Sequence, residues 1–105
     1  MLAMRSYEVI VSNEAYSDLD EMALYIAKLY RPDSGHNYVN RILGQLAALS
    51  YTADIYQFSH LITARRIHPQ AKTLSIMNHR WTAVFHIESI YVIIDRISPS
   101  KMMME

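Results

Sequence analysis

The chain has no cysteine, two glycines, three prolines and no long apolar run. Without cysteine, neither a disulfide nor thiolate chemistry is open to it. Two glycines cannot build a glycine-rich loop that cradles phosphates. No apolar run approaches the roughly 18 residues that a membrane span needs. The opening Met-Leu-Ala-Met-Arg-Ser is too short for a signal peptide, so a soluble cytoplasmic protein with no membrane partner is expected. The five histidines have no cysteine beside them and no His-x-x-x-His spacing, so neither a metal nor a cofactor is expected. Net charge is also absent, since ten Lys/Arg balance ten Asp/Glu. The charges nevertheless segregate. Residues 1–58 carry four Lys/Arg against seven Asp/Glu; residues 59–105 carry six against three, together with His60, His68, His79 and His86. A basic half can mark the footprint of an anionic partner, and chance clustering in a neutral domain is the plain alternative.

What is present suits a single domain over residues 1–105, with 51% apolar residues to supply a core. The stretch Thr73 to Ser98 organises it. Three apolar runs rich in β-branched and aromatic residues are broken at Asn78-His79 and Glu88-Ser89. Breaks this short predict an antiparallel three-stranded meander. The middle run alternates: Trp81, Ala83, Phe85 and Ile87 fall on one face, Arg80, Thr82, Val84, His86 and Glu88 on the other. A period of two predicts one buried face and one at least partly open to water.

Upstream, Tyr7 to Val11 reads as a strand, and Ser12-Asn13-Glu14 as a helix start with acids near the positive end of the dipole. Ala15, Leu19, Met22, Ile26 and Leu29 form its apolar stripe, widened by Tyr16, Ala23 and Tyr30, and Pro32 ends it. Asp33-Ser34-Gly35 is expected to turn the chain and cap a second helix that runs to about Ser50, with Val39, Ile42, Leu46 and Leu49 inward. Gly44 inside that helix predicts close approach to the first one. Tyr51 to Lys72 is the least legible part; Leu61 to Ile67 reads as an extra strand. The Lys101-Met-Met-Met-Glu tail is apolar enough to need a seat. The expected fold is α+β: a helical hairpin on one face of a small, mostly antiparallel sheet, in the order β-α-α-β-β-β.

Three segments resemble the RelE/ParE superfamily of toxins from bacterial type II toxin–antitoxin modules. Tyr7-Glu-Val-Ile-Val-Ser-Asn-Glu-Ala-Tyr-Ser-Asp-Leu-Asp-Glu is similar to its first strand and acidic helix start. Leu74-Ser-Ile-Met-Asn-His-Arg-Trp-Thr-Ala-Val-Phe-His-Ile-Glu resembles its central hairpin, with Trp81 opening the strand and Phe85-His86 closing it. Tyr91-Val-Ile-Ile-Asp-Arg-Ile resembles its last strand, where Arg96 matches a recurrent arginine. The likeness covers nearly the whole chain. It departs at Lys72, where the family usually has an arginine, and at the C-terminus, which offers only Lys101.

The resemblance implies a growth-inhibiting toxin of the plasmid-stabilisation type, held by an antitoxin encoded beside it and self-associating without it. It leaves two targets: DNA gyrase in the ParE-like branch, slightly favoured by the neutral charge, or ribosome-bound mRNA in the RelE-like endoribonuclease (mRNA interferase) branch. A non-toxic binding domain of the same fold is the third reading. Cleavage beside a 2′-hydroxyl needs a base, a cation for the phosphorane and an acid. Arg80, His86 and Arg96 are the candidate catalytic residues if the chain is RelE-like. Arg65, Arg66, His68, Lys72 and Lys101 are the candidate target-binding residues. Each has a structural alternative: a solvated basic loop for Arg65, Arg66 and His68, and an ion pair with Asp95 for Arg96.

Overall fold

The computed structural model describes residues 6–103. It contains β1 (Glu8–Val11), α1 (Asn13–Leu29), α2 (Pro32–Ala47), the single turn α3 (Leu49–Thr52), α4 (Ile62–Ile67), β2 (Lys72–Ile76), β3 (Trp81–Glu88) and β4 (Tyr91–Pro99), with 3-10 turns at Ala53–Ile55 and Ser100–Met102. The strands lie in the order β1-β4-β3-β2. β1 runs parallel to β4, and the other pairs are antiparallel. The α+β architecture and the meander are as the sequence predicts.

Ser12 starts α1 as expected: its hydroxyl accepts from the Ala15 N–H at 3.1 Å. Leu19 and Met22 of α1 and Ile42 and Leu46 of α2 meet Ala83 and Phe85 of β3 and Val92, Ile94 and Ile97 of β4. Trp81 and Ile87 pack at the margin of the same cluster, so the alternation assigns the core face of β3 correctly. Phe85 is fully buried.

Four expectations need correction. Asp33-Ser34-Gly35 does not precede α2 but lies in its first turn, because Pro32 opens the helix, where a missing N–H is no loss. Gly44 is not the point of close approach, since nothing lies within 4 Å of where its Cβ would be. Gly35 is that point: a Cβ there would collide with the carbonyl oxygen of Ala23 in α1. Leu61 to Ile67 is not a strand. As a helical turn it brings Leu61 and Ala64 onto Val84, with Ala71 beside them. That contact overturns the expected open face of β3: Thr82, Val84 and His86 are all buried. The tail helps to cover them. Met103 joins the Val84 cluster, and the Ser100 hydroxyl is 2.8 Å from that of Thr82. Met104, part of the apolar tail, lies outside the described residues.

Candidate functional site

β3 and β4 are joined by a two-residue turn that pairs Glu88 with Tyr91 and His86 with Ile93. Asp95 is the diagonal neighbour of His86, and the His86 Nδ1 lies 2.6 Å from an Asp95 carboxylate oxygen. A carboxylate can only accept, so Nδ1 carries the proton and Nε2 holds the lone pair in the neutral ring. Nε2 is 3.6 Å from Glu88 Oε2, beyond hydrogen-bond length but within ion-pair reach. His68, just after α4, lies flat on His86, with centroids 3.7 Å apart and planes within 5°. The Gln70 N–H donates to His68 Nδ1 at 3.0 Å, which leaves the neutral proton of His68 on Nε2. An imidazole oriented by a carboxylate is a base–orienter pair. Here it sits under a second ring, in a side chain only 7% exposed.

The register shifts between Val84 and Phe85, so that Phe85 pairs with Ile94 but Val84 with Arg96. The extra residue in β4 is Asp95. A bulge of this kind puts two successive side chains off the core face, which is how Asp95 meets His86 while Arg96 also avoids the core. Strict alternation would have sent one of the two inward. Arg96 does not pair with Asp95. β1 covers β4 only as far as Ile94, and α1 closes the remaining edge. Asp18 of α1 accepts from Arg96 at 2.9 and 3.0 Å and from the Ile97 N–H at 2.8 Å. The hydrogen bond to Asp18, then its charge, raises the Arg96 pKa; Glu14 and Glu21 add to this, and partial burial opposes it.

The three candidate catalytic residues therefore do not share a face. His86 is buried on the sheet, Arg96 is tied to α1, and Arg80 sits at the end of the β2–β3 turn, facing the first half of α2. Of the target-binding candidates, Arg65, Arg66 and Lys101 are exposed and His68 is stacked on His86. Lys72 is buried: its ammonium reaches the Ala53 carbonyl at 3.4 Å and lies 5.4 Å from the centre of the Phe58 ring. Sequence reasoning missed Asp18, and missed Asp95 as the partner of His86. The second was readable by counting back from the Glu88–Tyr91 turn; the first joins residues far apart in the chain and had no local signal.

An apolar groove of about 530 Å3 runs between α1, α4 and the C-terminal segment, lined among others by Met22, Tyr25, Ile67, Trp81 and Met102. No helix among the described residues is long and apolar enough to cross a membrane.

No family model matches this sequence, and no curated protein matches it. Among solved structures, the fold is similar to that of a chain of the chromosomal ParDE TA system from P. aeruginosa. The TM-score is 0.74 at 21% identity, over 90% of this chain and 96% of that one.

Proposed function

We propose that this chain is the cytoplasmic toxin of a type II toxin–antitoxin module, and that it arrests growth by binding an essential target, with a ParE-like action on DNA gyrase. The observation that carries the reading is the fold likeness to a ParDE chain over nearly the full length of both. The likeness of Tyr7–Glu21, Leu74–Glu88 and Tyr91–Ile97 to the toxin superfamily points the same way. A toxin of this kind needs a surface for its antitoxin. The Met22–Tyr25–Ile67–Met102 groove is apolar and open, as an amphipathic helix would require. Binding is favoured over cutting because the candidate catalytic residues lie apart and His86 is covered.

The alternative of a ribosome-dependent endoribonuclease draws support from the His86–Asp95 pair, which has the tautomer of a base with Nε2 free to accept a proton. One experiment tests both readings. The chain is expressed with and without the reading frame beside its gene, growth is followed, and a gyrase supercoiling assay and RNA cleavage mapping are run in parallel. Growth arrest relieved by the neighbour, with loss of supercoiling and intact mRNA, is expected. Cleaved mRNA with normal supercoiling moves the assignment to the endoribonuclease. Normal growth in both strains leaves a non-toxic binding domain.

A further inference from the structure

Where α1 hands over to α2, three arginines line one open groove of about 550 Å3: Arg31, Arg41 and Arg80, with Tyr30 and Tyr38 beside them. Two of them come from the half of the chain that reads as acidic, so the cluster is invisible to the charge count. Arg31 has a loose ion pair with Asp33 at 3.9 Å, both side chains being well exposed. Among the described residues, the side chains of Arg41 and Arg80 have no hydrogen-bond or ion-pair partner.

The turn that carries Arg80 is fixed. Met77, Asn78 and His79 have φ of 53°, 56° and 65°, the left-handed region that costs L residues energy. Gln45 of α2 holds the first of them: its Oε1 accepts the Met77 N–H at 2.9 Å, and its Nε2 reaches Met77 Sδ at 3.3 Å. The Met77 side chain is buried. The Arg80 carbonyl accepts from the Ser100 N–H at 3.0 Å. In the same groove, Tyr38 accepts from the Trp81 indole N–H at 2.8 Å, while Tyr30 is 71% exposed as a residue. A strained backbone held from both sides beneath an unpaired cation is the kind of arrangement that persists at binding sites.

We propose that this groove binds a nucleotide unit, its phosphate held by Arg41 and Arg80 with Arg31 alongside and its base stacked on Tyr30. Guanidinium forks match phosphate oxygens two at a time, and an exposed tyrosine ring accepts any base face. An acidic peptide would use the forks but leave the rings idle. A free nucleotide and a nucleotide within a single strand offer the same chemistry. The proposal does not depend on the chain being a toxin.

The test is amide chemical-shift mapping on the full chain, with ADP, a single-stranded oligodeoxyadenylate of about ten nucleotides, inorganic phosphate and a glutamate oligomer as probes. Saturable shifts at residues 30–41 and 77–80 are expected with ADP or the strand. The Arg41→Ala/Arg80→Ala variant should weaken them by about tenfold or more. Tyr30→Ala should weaken ADP but not inorganic phosphate. Arg80→Lys keeps the charge and the turn, and should fall between wild type and Arg80→Ala. Tighter binding of the strand than of ADP, with a log–log salt slope of about −2, identifies a strand as the source; equal binding identifies a free nucleotide. No shift at about millimolar probe, shifts centred on Arg65, Arg66 and Lys101, or equal binding of the glutamate oligomer overturns the proposal.

Discussion

Asp18 and Arg96 are 78 residues apart and meet through two hydrogen bonds at the edge of β4. The two partners are not equivalent. Asp18 is 12% exposed and also caps the Ile97 N–H, whereas Arg96 is 45% exposed. Asp18→Ala strips an acceptor from a strand N–H that no neighbouring strand covers, and should destabilise by about 1–3 kcal/mol. Arg96→Ala removes a half-exposed cation and should cost about 1 kcal/mol or less. Urea unfolding of the two variants checks the order. Equal losses would mean that the ion pair, not the capping of β4, is what Asp18 contributes.

The same pair fixes a pH dependence. Asp18 raises the Arg96 pKa above its ordinary value. A group raised on folding contributes stability that is complete below its unfolded pKa and is lost as pH climbs through the folded one. For arginine both lie far on the alkaline side of neutral. The stability difference between wild type and Arg96→Ala should therefore stay constant from neutral pH to about 11, measured by urea midpoints across that range. A difference that shrinks on the way would contradict the assignment of the pair.

The two glycines should respond to alanine with opposite signs. At Gly35 the new Cβ would run into the Ala23 carbonyl, a backbone atom that cannot swing aside. Gly35→Ala should destabilise by about 1–3 kcal/mol or more, as overpacking does. At Gly44 the new methyl meets nothing within 4 Å. Gly44→Ala should stabilise by about 0.5–1 kcal/mol through helix propensity alone. Denaturant unfolding of the pair measures both at once.

These glycines also mark where the sequence stops being legible. Periodicity assigns the core face of β3 because Phe85 and its neighbours obey a strict period of two. It finds α1 because Ser12 caps it with its own hydroxyl. Those signals are local. Which glycine meets the facing helix depends on how the two helices cross, and no spacing within α2 encodes that. The covered second face failed for a related reason. Ala64 is small and packs on Val84 only once α4 forms, and a six-residue helix is too short to show a stripe. The candidate site was half readable. His86 stood out by type, and Asp95 could be counted from the Glu88–Tyr91 turn, but the second ring depends on the return of His68 across the sheet. The arginine groove was not readable at all, since it sets Arg80 of the β2–β3 turn against Arg31 and Arg41 at the start and middle of α2, far away in the chain.

His86→Gln separates the two toxin mechanisms. Glutamine can still donate a hydrogen bond to Asp95, so the variant keeps a partner for this half-buried carboxylate, and its fold can be checked by circular dichroism. What it loses is an imidazole nitrogen that can exchange a proton with a substrate. If His86 serves as acid or base, RNA cleavage should fall by about 10²-fold or more, and growth arrest should fall with it. If the chain acts by binding, the buried position of His86 keeps it away from the target, and both growth arrest and gyrase inhibition should survive. The expected result is survival. The His86 side chain is only 7% exposed, with His68 stacked on its ring face and Glu88 3.6 Å from Nε2, which leaves little of it open to a substrate hydroxyl. His68→Ala supplies the control: it opens the stacked face of the His86 ring and leaves the His86–Asp95 bond in place. RNA cleavage that appears or rises in His68→Ala, and vanishes again in the His68→Ala/His86→Gln double variant, would establish a latent ribonuclease and displace the gyrase reading.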